Sequence, residues 1–215
     1  MYRSITIFIA LLSLNINFAL LANADEDAAP EDEIVEVIPS TAHETVDYVS
    51  AQLIGMLDDA KERFQEDPKK FYADFDAVIS PWMDFRLWAR GVMGKEYVVQ
   101  ATDEQIATFE QVFKKTLVET YAKGLVNVDE ARYEVSPPRK GDEKKTTVGV
   151  LQTLYSGSSQ VQVLYAMRKN TEGRWQFRNV RLDGIDLGKT FRNQFKNAVE
   201  SNKGDLDKVI AEWGI

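Results

Sequence analysis

The chain has 215 residues, a formal net charge of -8, one histidine and no cysteine. With no thiol there is no disulfide staple, and one histidine rules out Cys/His zinc sites and multi-histidine metal centres. The negative charge is concentrated in residues 25–39, which hold Asp25, Glu26, Asp27, Glu31, Asp32, Glu33 and Glu36 and no base. The rest is nearly balanced, so the body offers no electrostatic footprint for nucleic acid.

Arg3, the mostly apolar run from Ile5 to Leu21, and Ala22-Asn23-Ala24 follow the order of a secretory signal peptide with its cleavage site. This predicts removal of residues 1–24 and a mature chain starting at Asp25 outside the cytoplasm. Asn15 and Asn17 interrupt the apolar run, which counts against a retained membrane anchor. No Cys follows, so no lipoprotein anchor is expected. Residues 25–39, with Pro30 and Pro39, read as a disordered, solvating acidic linker. Residues 40–215 are then one domain, large enough for a real core. Export without disulfides suits the periplasm of a Gram-negative bacterium.

Val46, Val49, Leu53, Leu57, Ala60 and Phe64 recur at steps of three and four, which predicts one amphipathic helix. Asp67-Pro68 restarts the chain as N-cap and first helical residue. Phe71, Phe75, Val78 and Ile79 continue an apolar face until Ser80-Pro81. A short helix is expected from about Asp84 to Met93, with Gly94 as its stop. Thr102 to Gln105 is a capping box, and the helix it opens aligns Ile106, Phe109, Phe113, Leu117 and Tyr121, ending near Lys123-Gly124.

The period then changes. Arg132 to Ser136, Thr146 to Tyr155, Gln160 to Arg168 and Arg174 to Asp183 are predicted strands, separated by turns short enough for an antiparallel meander. Helical spacing returns with Leu187, Phe191, Phe195 and Val199, and after Gly204 with Leu206, Val209, Ile210 and Trp213. Helices, a meander, then helices make an α+β fold.

His43 stands among polar residues, no G-x-S-x-G elbow surrounds a serine, and no phosphate-binding glycine loop occurs. The reading is therefore of a non-enzyme without cofactor or metal. A hydrolase built on carboxylates alone stays open through Asp74, Asp76, Asp84, Asp183 and Asp186, each with a surface or capping role as its default. In the third strand Val161, Val163, Tyr165 and Met167 oppose Leu164 and Ala166; in the second, Val148, Val150 and Leu154 alternate with Leu151 and Tyr155. Trp175, Phe177, Val180 and Leu182 do not fit one face of a regular strand. Apolar residues on both faces predict that both are covered, or that one lines an apolar cavity.

Several blocks carry a family resemblance. Asp84-Phe85, Ala89-Arg90 and Val92-Met93-Gly94 resemble the D-F-x-x-x-A-R-x-V-L-G element of the MlaC-type periplasmic phospholipid carriers, the toluene-tolerance family. Ala101-Thr102, Gln105, Phe109 and Phe113, then Leu117-Val118, Thr120-Tyr121-Ala122, are similar to the next block. Val180, Leu182-Asp183-Gly184-Ile185 and Phe191-Arg192-Asn193-Gln194-Phe195 resemble V-x-x-E-G-V-S-L and Y-R-x-Q-F. The match runs in order from about Asp47 to Ile210. Tyr97, Asp183, Asp186 and Phe191 stand where Trp, Glu, Ser and Tyr are usual.

The resemblance implies a monomeric carrier that holds the acyl chains of a phospholipid, or another amphiphile such as a hopanoid, in an apolar cavity. A non-catalytic envelope adaptor is the alternative. Implied partners are an inner-membrane ABC transporter with an MCE-type subunit and an outer-membrane lipoprotein complex. Two chains of about sixteen carbons represent on the order of 25 kcal/mol of apolar transfer, at about 0.8 kcal/mol per methylene. A bilayer offers the same chains similar surroundings, so net affinity is small and cargo leaves at either end. Expected lining residues from the strands are Val148, Val150, Leu154, Val163, Tyr165, Trp175, Phe177 and Val180. From the helices they are Phe85, Val92, Met93, Phe113, Leu117, Leu187 and Phe191. Arg90 and Arg192 are the candidate headgroup contacts. A cavity for two chains should reach roughly 1,000 Å³.

Overall fold

Thr41 opens the first helix: its hydroxyl accepts the Glu44 backbone N–H, and the Glu44 carboxylate accepts the Thr41 N–H. The computed structural model describes residues 38–128 and 130–214. The signal peptide and nearly all of the acidic linker lie outside these. Helix α1 (Ala42–Gly55) buries Val46 and Val49. The predicted stripe continues through Leu57, Ala60 and Phe64, but not as one rod. The chain leaves the helix after Gly55 and restarts as α2 (Ala60–Glu66). Gly55 and the Asp58-Asp59 pair explain the break, being poor helix formers in consecutive turns.

Asp67 caps α3 (Pro68–Ile79) by accepting the Lys69 and Lys70 N–H groups, and Pro81 diverts its end into a 3-10 turn at Ser80–Trp82. Asp84 caps α4 (Phe85–Val98) through the Leu87 N–H. Gly94 interrupts this helix with φ 75° rather than ending it, and the chain turns once more to Val98. The Thr102–Gln105 capping box is fully formed at the head of α5 (Asp103–Val126).

The four expected strands are present as β1 (Arg132–Val135), β2 (Thr147–Ser156), β3 (Ser159–Lys169) and β4 (Trp175–Leu182), joined by a two-residue β5 (Ile185–Asp186). All pair antiparallel in the order β1-β2-β3-β4-β5. The turn into β5 places Asp183 and Gly184 at φ 47° and 84°. Such a left-handed pair suits a tight hairpin. Then come α6 (Leu187–Ser201) and α7 (Leu206–Ala211), separated by Lys203-Gly204 at positive φ.

Two expectations about the sheet change. Met167 pairs with Phe177 while Ala166 pairs with Asn179, so Arg178 is an extra residue in β4. This β-bulge restores the parity lost after Phe177. Trp175, Phe177, Val180 and Leu182 then stand opposite Lys169, Met167, Tyr165 and Val163, all on one face. The second correction concerns cover. Val148, Val150, Val163, Met167, Trp175 and Phe177 are buried, whereas Gly149, Gln162, Leu164 and Arg168 on the opposite face are exposed. Only one face is covered. On the outer face Tyr155 is shielded by a neighbour instead of a second layer: the Arg132 guanidinium lies 3.7 Å over its ring.

The helices grip the sheet at both sides, α1 on β1 and β2, α6 on β4 and β5. The core divides into three clusters. One joins α4, α5, α6 and α7; one joins α1 to the sheet; the third joins α2 and α3 to α4 and α5. Half-buried Met83 touches all three, Leu53 and Val78 touch two, and Leu117 touches two.

Candidate functional site

The covered sheet face is where the expected lining residues gather. Val148, Val150, Trp175 and Phe177 pack with Val46 and Val49 of α1, and Tyr165 meets Phe177 edge-on at 5.2 Å. Val180 packs instead against the α4–α6 cluster, which contains Val92, Met93 and Phe113. Phe191 meets Phe113 edge-on at 5.6 Å. Phe85 belongs to the third cluster, and Leu117 lies between the first and third. Val163, although 2% exposed, and half-buried Leu154 and Leu187 stand outside all three. The sheet's covered face thus joins α1 through one cluster and, through Val180, the α4–α6 cluster through another.

A polar chain runs across this face that the sequence reading missed. The Gln152 amide, 1% exposed, donates to Ser50 Oγ at 2.6 Å, and its carbonyl accepts the Tyr165 hydroxyl at 2.7 Å. Burial pushes the Tyr165 phenol well above its ordinary range. The available signal was parity: Gln152 occupies the inward position between Val150 and Leu154. All three groups are satisfied, as buried polar groups must be.

Beside the covered face, a cleft of about 470 Å³ opens between α4, β4 and α6. Leu87, Trp88, Gly91 and Val92 supply one wall. Trp88 Nε1 donates to the Phe177 carbonyl at 2.8 Å, tying this wall to β4. Arg178, Lys189 and Arg192 also line the cleft; Arg90 does not. Arg192 Nε donates to the Gly91 carbonyl at 2.7 Å, and its stem lies across Gly94, where a Cβ would sit 3.6 Å from Cδ. Two of the resembling blocks, one ending at Gly94 and one containing Arg192, therefore meet here. Asn179 holds the opposite side: its Oδ1 accepts the Val180 and Gly188 N–H groups. A Cβ on Gly188 would lie 2.8 Å from that oxygen, so a larger residue there would displace the Asn179 amide.

The carboxylates do not converge. Asp74 pairs with Arg63 and Lys70, Asp76 with Lys114 and the Ser80 hydroxyl, and Asp84 caps α4. Asp183 accepts the Gln162 N–H across the sheet. Asp186 is an N-cap for α6 through the Lys189 N–H, the job Ser also does there. Asn179 and this backbone N–H hold the Asp186 carboxyl below its ordinary pKa. Among the described residues no group of three or more His, Cys, Asp or Glu is placed to hold a metal ion. No helix among them is long and apolar enough to cross a membrane.

The chain thus has an α+β fold with a meander covered on one face and, beside it, a cleft whose α4 wall is apolar and which carries three cations. The model of the MlaC protein family matches residues 47–214. The toluene tolerance protein ttg2D of Pseudomonas putida is 32% identical over 180 residues, covering 84% of this chain and 83% of that protein. A phospholipid-binding protein from Ralstonia solanacearum, solved in complex with a phospholipid, superposes with a TM-score of 0.69 at 25% identity, over 80% of this chain and 98% of the other. The chain belongs to the MlaC family.

Proposed function

We propose that this protein is a periplasmic carrier that takes the acyl chains of a phospholipid between its covered sheet face and its helices, and shuttles the lipid between the two membranes. The observation that carries the reading is the likeness to the Ralstonia solanacearum protein with its phospholipid, over nearly the whole of that chain. The divided core supports it. Clusters that meet through half-buried Met83, Leu53, Val78 and Leu117 separate along those seams without any one of them being broken. The cleft of about 470 Å³ beside that face is smaller than the roughly 1,000 Å³ expected for two chains, and on this reading the chains enter between helices and sheet instead. The two docking stations on this reading are an inner-membrane ABC transporter with an MCE-type subunit and an outer-membrane lipoprotein complex. The chain itself supplies binding and no catalysis.

Leu154→Lys tests the placement. Leu154 lies on the covered face and is only half-buried, so a charge there meets acyl chains more than it disturbs the core. Uptake from phospholipid vesicles, read by native mass spectrometry, should fall at least about tenfold, since a buried charge without a partner is costly. Leu164→Lys, on the exposed face, should load as the native protein does. Equal loading by both variants would remove this face from the lipid site.

A further inference from the structure

We infer that the cleft between α4, β4 and α6 is a phosphate-binding site, formed by Arg178, Lys189 and Arg192, that seats the phosphodiester of the cargo headgroup. The inference deepens the carrier reading and rests on it for the source of the phosphate.

Three observations lead to it. First, the cations here have spare capacity. Among the described residues no hydrogen bond or ion pair reaches the Arg178 guanidinium or the Lys189 ammonium, and Arg192 uses only Nε, on the Gly91 carbonyl. The one carboxylate in the cleft, Asp186, is already taken by Asn179 Nδ2, the Lys189 backbone N–H and Arg181 Nε. In a body whose charges nearly balance, three cations against one carboxylate are a local excess of positive charge. Second, Arg178 is the bulge residue of β4, and bulges re-aim a side chain away from the regular ladder. Its guanidinium is half-buried, and burial together with nearby Arg168 disfavours its charge more than the Asp84 carboxylate favours it. An anion relieves both penalties, and a guanidinium fork fits phosphate oxygens in pairs. Third, the opposite wall is apolar. Trp88 belongs to the α4–α6 cluster and bonds to Phe177 of the sheet cluster, so the cleft floor lies on a seam between two clusters. A headgroup held at the cations places its acyl chains over that seam.

The test uses the purified protein with two probes: inorganic phosphate, and vesicles containing phosphatidylglycerol or diacylglycerol with the same acyl chains. The native protein should take up phosphatidylglycerol about tenfold better than diacylglycerol, the scale of one good charge-assisted contact at a half-exposed site. The double variant R178Q/K189Q should lose that preference and still load diacylglycerol as the native protein does, which also shows that it is folded. Arg178→Lys, which keeps the charge, should retain most of the preference. Phosphate titrated into the native protein should shift amide resonances of Gly188 to Arg192, and not in the double variant. Phosphate binding that depends on Arg178 and Lys189, with no lipid uptake by the native protein, would keep the site, assign it to free phosphate and overturn the carrier reading. A double variant with native lipid preference and native phosphate shifts would overturn the site.

Discussion

His43 is the single histidine, and histidine is the side chain whose ordinary pKa lies between pH 5 and 8. Partial burial lowers its pKa, and the nearby Asp142 carboxylate only partly offsets this. The unfolded chain then binds more protons than the folded one as pH falls through about 6.5. The stability this residue contributes is complete above that value and lost as pH drops toward the folded pKa. His43→Gln should therefore flatten the decline between pH 7 and 5.5, measured by urea denaturation at each pH; an unchanged slope would assign the decline to other groups. Further into acid the slope steepens, because hydrogen bonds hold Glu44, Asp74, Asp142 and Asp186 below their ordinary values. At this scale the sequence was legible for caps and apolar anchors. It was not legible for Gln152, whose polar side chain at an inward position looks like an exception until Ser50 and Tyr165 are brought to it from elements far apart in the chain.

Among the elements, α4 carries two glycines with opposite roles. Gly94 sits at φ 75°, a conformation that L side chains rarely adopt, and it breaks the helix beneath the Arg192 stem. Gly91 is helical, and a Cβ there meets nothing within 4 Å. Gly94→Ala should cost about 1–2 kcal/mol through backbone strain, whereas Gly91→Ala should stabilise by up to about 1 kcal/mol through helix propensity. Chemical denaturation of both variants checks the pair, and equal effects would contradict the roles assigned here. Caps and period gave the order of the helices and four strands directly. The α1–α2 break was hidden because its apolar stripe stays in phase across the gap. The bulge at Arg178 was hidden for the opposite reason: it makes a strand look out of phase when its residues share one face. β5 is two residues long, too short to show any period.

For the whole molecule, fold class and family could be read from the order of several individually weak blocks. Arg192 stands out in the sequence as a headgroup candidate, but its grouping with Arg178 and Lys189 does not, because a strand and a helix bring the three together only in the fold. The single covered face could not be read either, since Leu164 and Tyr155 outside resemble core residues by type alone. What unites these features is a core in three clusters that meet at Met83, on one covered sheet face. The most direct measurement is lipid content. The protein, produced in a Gram-negative host and purified without detergent, is extracted with organic solvent and analysed by mass spectrometry. Phospholipid in stoichiometric amount is the expected result. A protein that emerges empty, and stays empty after incubation with phospholipid vesicles, would contradict the carrier reading.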